Sequence, residues 1–424
     1  MVEPKIVSVV VFVLTYVLFV LLPNKRTIVA VSGALLTVFL GAISFAEAFR
    51  AINWNVMGIF VGTLVIADIF MESRVPAYLA ELIVDKAKNT AWAILALCAL
   101  TGFISAFVEN VATVLIVAPI ALSLAKKLDI NPVKMMIAIA ISSNLQGTAT
   151  LIGDPPSMLL GGFAKMNFMD FFFYKGRPSI FFAVELGALA SFVVLYFIFK
   201  GFHQKTRLVP VEKVKSWFPT YLLIVLIVFL ACSSFFDPGF SYTAGVLCMI
   251  FAVISIIWEK LANKGSIIEG VKSLDWDTTL FLMGVFILVG SITITGWIDV
   301  ISETLSGLVG KNIFLGYTLL VFISVFVSAF VDNVPFLVAM LPVAISMSQR
   351  LDINPSLFLF GILIGASLGG NITPIGASAN IVACGLLKKE GYPVKFGEFA
   401  KIGFPFTLAA VTAAYLFVWL VWKS

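Results

Sequence analysis

The sequence predicts an all-α polytopic membrane protein made of two inverted repeats, each with a re-entrant helical hairpin and a discontinuous transmembrane helix. Three observations predict it. Hydrophobic residues fill 61% of 424 positions, charged residues only 12%, and mean hydropathy is +1.08, well beyond what a water-soluble core requires. A 28-residue segment recurs later in the chain with 14 identities. Both copies are followed by a stretch broken by glycine and proline.

Taken in order, apolar runs of the ~20 residues that cross a bilayer as a helix lie near 6–22, 27–45, 53–72, 178–200, 218–236, 239–258, 277–298 and 402–422. No stretch is left for a soluble domain. The first run lacks a basic leading region and a small-residue cleavage site, so it is expected to be a retained helix and not a signal peptide.

Residues 105–132, SAFVENVATVLIVAPIALSLAKKLDINP, match 328–355, SAFVDNVPFLVAMLPVAISMSQRLDINP, at a constant offset of 223. The same offset lays GTATLIGDPPS (147–157) on GNITPIGASAN (370–380), and an offset of 222 pairs Trp54 with Trp276 and Gly62 with Gly284. The expected organisation is a first repeat over 1–204, a basic cytoplasmic linker over 205–217 and a second repeat over 218–424.

The run from about 91 to 126 is too long for one crossing and carries Glu109 and Asn110 in its middle. It reads as two half-helices meeting at a polar tip, and 313–349 reads likewise around Asp332 and Asn333. Non-helical backbone at that depth is tolerated where protein or a watery cavity shields it. The segments 133–164 and 356–383 are interrupted by Gly147, Gly153, Pro155 and Pro156, and by Gly369, Gly370, Pro374 and Gly376. With hairpins returning to their own side, each repeat makes an odd number of crossings, so the second is inverted. An external N-terminus puts 20 of the 28 Lys and Arg residues in cytoplasmic connections, as the positive-inside rule asks. Lys165, Lys175 and Arg177 dissent, standing in a loop expected outside.

Paired discontinuous helices at matching places in two inverted repeats point to a transporter's binding site at the repeat interface. A carboxylate at membrane depth is costly unless paired, protonated or hydrated, so Glu109, Asp154 and Asp332 are candidates for coupling-ion or proton work, with capping of half-helix ends as the structural alternative. Candidate substrate ligands are Asn110, Thr113, Asn144, Thr148, Thr150 and Ser157 in the first repeat, and Asn333, Asn371, Thr373, Ser378 and Asn380 in the second. Asp68 and Glu185 lie outside the repeated motif and read as structural. No Lys or Arg belongs to a tip or break in sequence, which weakens direct pairing with a multivalent anion.

The single histidine, His203, sits in a basic loop, and Cys98, Cys232, Cys248 and Cys384 are scattered without metal-ligand spacing. Neither a resident cofactor, a metal site nor a nucleophile–base pair is expected, and no nucleic-acid partner is needed to explain the net charge of +5. Enzyme and channel readings are therefore the weaker ones.

SAFVENVATVLIVAP, NLQGTATLIGDPPS, SAFVDNVPFLVAMLP and GGNITPIGASAN resemble, over essentially the whole chain, the ion transporter superfamily. The resemblance is strongest to the branch holding arsenite permeases, certain sodium/proton antiporters and the melanosomal P protein. It implies two hairpins, a scaffold that often dimerises, elevator-like alternating access and a multi-pass place in a cell (inner) membrane. It also implies a small ion or metalloid substrate, with arsenite or antimonite export coupled to protons or sodium as the first expectation and a soluble ATPase partner in that case. Sodium/proton antiport and sodium-coupled carboxylate transport are the alternatives. Ser157 and Gln146 depart from the branch's usual asparagine and glycine.

Overall fold

A computed structural model describes residues 3–22, 25–204, 212–263 and 275–423, so 205–211 of the expected linker lie outside the described residues. Among those described it has 19 α-helices. The first repeat runs α1 (Pro4–Leu21), α2 (Arg26–Phe39), α3 (Phe45–Ala51), α4 (Trp54–Glu72), α5 (Val75–Lys86), α6 (Thr90–Ser105), α7 (Asn110–Leu128), α8 (Val133–Gly147), α9 (Pro155–Ala164) and α10 (Ile180–Phe199). The second runs α11 (Phe218–Ser233), α12 (Thr243–Asn263), α13 (Trp276–Ile294), α14 (Trp297–Val309), α15 (Ile313–Ser328), α16 (Asn333–Arg350), α17 (Ser356–Gly369), α18 (Ser378–Lys389) and α19 (Phe396–Trp422). A two-residue antiparallel ribbon, β1 (Phe173–Tyr174) with β2 (Arg177–Pro178), closes the loop before α10.

Helix starts repeat with the sequence. Trp54 and Trp276 open α4 and α13, and Asn110 and Asn333 open α7 and α16, the second helix of each hairpin. Pro119 and Pro342 stand at equivalent points inside α7 and α16. Sequence patterning did not anticipate α3, α5 and α14, which are short or only partly apolar; α3 is set by a capping box in which Ser44 and Glu47 satisfy each other's backbone N–H.

Crossings at the centre make the inversion visible. Thr27 donates to the Asp277 carbonyl at 3.1 Å, and further along Gly284 meets Ala30, so α2 and α13 run parallel. Within a repeat α2 and α4 are successive, opposed crossings, and α13 is the counterpart of α4. A merely translated second repeat would therefore oppose α13 to α2. The reciprocal crossing has α4 parallel to α12, with Asn55 accepting from Gly245 N–H at 2.7 Å and Gly62 against Cys248. Both crossings are tight enough to need glycine: a Cβ at Gly62 would lie 2.5 Å from the Cys248 carbonyl carbon, and one at Gly284 would lie 2.8 Å from that of Ala30. Cys98 and Cys248 are buried packing residues.

Among the described residues seven helices are long and apolar enough to cross a membrane, among them α1, α4, α10, α13 and α19. The shorter α6, α8, α15 and α17 are half-helices, and their ends bring backbone polar groups into the centre.

Candidate functional site

Each tip is tied to the break of its own repeat by a threonine. Thr150 Oγ1 donates to the Ala106 carbonyl and Thr373 Oγ1 donates to the Ala329 carbonyl at 2.5 Å. Each threonine in turn accepts from a backbone N–H two residues on, Ile152 and Ile375, both at 3.4 Å. The carbonyls freed where α6 and α15 stop are satisfied this way. Gly153 and Gly376 allow the approach, since a Cβ at either would run into the Gly147 or Gly370 carbonyl.

Three half-helices begin at the centre on a carboxylate cap. Glu109 accepts from Ala112 N–H at 3.0 Å and caps α7; Asp332 accepts from Val334 N–H at 3.0 Å and caps α16; Asp154 accepts from Ser157 N–H at 2.9 Å and caps α9. The capping alternative is thus realised at all three. Asp154 is 3% exposed, and its other oxygen accepts from Thr148 Oγ1 at 3.3 Å. The fourth half-helix, α18, follows Ala377 and has no side-chain cap. Its first N–H groups and its dipole are left to whatever occupies the break.

One hydrogen-bonded chain then joins the two repeats. Ser105 Oγ donates to Asn110 Oδ1 at 2.6 Å and lies 2.8 Å from Ser143 Oγ. Asn110 Nδ2 reaches Asn144 Oδ1 at 3.5 Å, and Asn144 Nδ2 donates to both Asn371 Oδ1 at 3.0 Å and Asn380 Oδ1 at 2.9 Å. Asn380 is fixed by its own donations to the Gly370 and Thr373 carbonyls, both at 3.0 Å, and Asn371 by a donation to the Ile141 carbonyl at 3.3 Å. Asn144, Asn371 and Asn380 are buried, and Gly147 is required because a Cβ there would strike the Asn110 amide. Ser157 belongs to the same shell through a 3.5 Å contact with the Gly147 carbonyl.

Other predicted residues stand apart. Thr113 bonds the carbonyl of Glu109 within its own helix at 3.1 Å, Asn333 stays outside the network, and Ser378 is exposed at the start of α18. Asp68 and His203 are exposed and Glu185 half-buried on α10. Among the described residues no group of three His, Cys, Asp or Glu is placed to hold a metal ion.

Although no Lys or Arg belongs to a tip or break in sequence, one reaches a tip in space. Arg26, the first residue of α2, forms an ion pair with Asp332 at the second tip, with its guanidinium 5.1 Å from the Phe281 ring and 3.4 Å from Thr278 Oγ1. Sequence alone gives no sign of this pair, because Arg26 and Asp332 are 306 residues apart. Ser105 and Ser143 were also missed, although Ser105 with its counterpart Ser328 was visible in the repeated SAFV motif. Ser367, the counterpart of Asn144, is buried with its hydroxyl unpartnered.

The profile of the family described as "Citrate transporter" matches residues 16–263 and 239–424. The chain belongs to the citrate transporter family. This family member is 29% identical to an uncharacterized transporter of Mycobacterium tuberculosis, over 98% of each chain. It is also 26% identical to the P protein of Mus musculus, over 94% of this chain and 58% of that one. Its fold is similar to the YdaH transporter of Alcanivorax borkumensis (TM-score 0.64, 12% identity, 98% of both chains). MtrF of Neisseria gonorrhoeae, described among antimetabolite efflux pumps, is similar too (TM-score 0.61, 14% identity, 99% of this chain and 95% of that one). This member of the citrate transporter family is a secondary transporter.

Proposed function

We propose that the protein carries a small carboxylate across the membrane together with a cation, by alternating exposure of the centre where the two breaks meet. The observation that carries this reading is the inequality of the breaks: Asp154 caps α9 in the first, whereas Ala377 leaves α18 uncapped in the second. A buried carboxylate with hydroxyl and carbonyl oxygens around it suits sodium or a proton. An open helix N-terminus suits an anion. Membership of the citrate transporter family is in keeping with an anionic substrate. Motion of the hairpins against a scaffold of α1, α2, α4, α11, α12 and α13 provides the alternation.

Proteoliposomes with separately imposed proton and sodium gradients, offered citrate, a dicarboxylate or arsenite, test it. Gradient-driven carboxylate uptake that Asp154→Asn uncouples is the expected result. Arsenite movement without carboxylate uptake overturns it in favour of metalloid export. A second reading, sodium/proton antiport, is favoured by Asp154 and Thr148 alone; sodium flux against protons with no organic substrate present would support it.

A further inference from the structure

Of the three basic residues that dissent from the positive-inside pattern, two have work within the protein. Arg177 donates to the Val421 carbonyl at 2.9 Å and lies over the Trp422 ring, helping to close the end of α19, and Lys175 lies 5.1 Å from the Tyr174 ring. Lys165, at the end of α9, forms no ion pair with a described residue and is exposed. It lines the mouth of a groove of about 970 Å³ together with Arg50, Trp54 and Tyr242. Arg50 lies in the last turn of α3, a short helix whose Phe45 and Phe49 are 76% and 54% exposed. Exposed aromatic residues at this level (Trp54 and Tyr242, with Phe235 and Phe236 on the adjoining loop) mark the membrane–water interface. Below them the groove wall is α12, presenting Val246, Met249 and Val253, each exposed and apolar.

We propose that this groove is a binding site for one anionic phospholipid, its headgroup phosphate at the mouth lined by Arg50 and Lys165 and an acyl chain along the apolar face of α12. Two cations at headgroup level over an apolar wall match a phosphate ester carrying hydrocarbon. The groove is also a junction: α9, from the first broken helix, meets α4 so closely that a Cβ at Gly162 would lie 2.7 Å from both Asn53 Nδ2 and Val56 Cγ2. A lipid seated there touches both the broken helix and the scaffold.

The test is native mass spectrometry of the full chain released from vesicles of phosphatidylcholine containing a minor fraction of phosphatidylglycerol. Wild type is expected to retain phosphatidylglycerol preferentially, and Arg50→Gln/Lys165→Gln to lose that preference by roughly 30-fold, at ~5-fold per interfacial charge. Met249→Trp, which fills the apolar wall and leaves the cations alone, is expected to lower retention of the lipid as well. Equal retention of the two lipids by wild type overturns the proposal, as does an unchanged preference in either variant. Oxidative cross-linking of a Val246→Cys variant to a second copy, with no lipid retained, also overturns it, because the face is then covered by protein.

Discussion

Arg26 and Asp332 bind the first repeat to the second: the residue that starts α2 pairs with the one that caps α16, at the tip of the second hairpin. A second tie runs alongside, since Tyr16 in α1 donates to the Pro335 carbonyl at 2.7 Å. Glu109, the equivalent of Asp332 at the first tip, forms no ion pair with a described residue. The hairpins are therefore held unequally by the scaffold.

Breaking this pair should stabilise no one state and cost stability in the present one. Both side chains are 27% exposed, between the exposed and buried extremes, so Arg26→Gln or Asp332→Asn alone should cost about 2 kcal/mol. The double variant should recover part of that cost. A double-mutant cycle on thermal stability measures the coupling; additive losses would show that the two residues act separately.

Asn144 is the residue most exposed to a change of hydrogen-bonding sense, because its amide donates to two oxygens whose own amides are committed elsewhere. Asn144→Asp would point an acceptor at two acceptors in a buried site, and Asn144→Ala would leave both oxygens unsatisfied, at about 1–3 kcal/mol each. Transport in proteoliposomes should fall at least about 100-fold for the aspartate, an additional ~2.7 kcal/mol on the barrier. Rates within a few-fold of wild type would remove Asn144 from the transport centre.

Gly62 and Gly284 hold the parallel crossings of α4 with α12 and of α13 with α2. Gly62→Val forces the helices apart and should destabilise the protein by about 1–3 kcal/mol or more, as over-packing does. Gly284→Val should behave alike if the crossings are equivalent. Thermal unfolding in detergent compares them, and unchanged stability for either would mean that its crossing is looser than the geometry implies.

Asp237, in the loop before α12, has opposing influences on its carboxyl. Partial burial raises the pKa, but the backbone N–H groups of Ser241, Thr243 and Tyr242 and the Thr243 hydroxyl hold it down to about 2. A folded pKa below the unfolded value of about 3.9 means stability that is present above that value and lost as pH falls through about 2. Asp237→Asn should therefore remove about 1 kcal/mol at neutral pH, and the difference from wild type should vanish below pH ~2. Unfolding followed against pH reads this directly, and a loss that does not depend on pH would assign Asp237 a steric role.

Much of the site was legible because duplication writes it twice. Thr150 and Thr373, or Gly153 and Gly376, recur at one offset, and a residue kept at a break in both copies is one that the freed backbone needs. Thr113 and Asn333 lie apart from the network, for lying at a polar tip does not decide whether a side chain turns toward the centre or back along its own helix. Shared position in a repeat reports common backbone demands, and side-chain partners across the interface differ because each repeat faces the other's unlike residues.

By itself the sequence determined the solvent, the number and order of helices around each break, and the inversion. These follow from hydropathy, from the cost of unpaired backbone in lipid, and from the parity of crossings, all of which are properties of local stretches and their count. Only the tertiary structure decided that Asn144 joins the two breaks, that the carboxylates Glu109, Asp154 and Asp332 cap half-helices, and that Arg26 reaches the second tip. Those depend on which faces of parallel and crossing helices meet, and residues 306 apart in the chain carry no local signal that a hydrogen bond will join them.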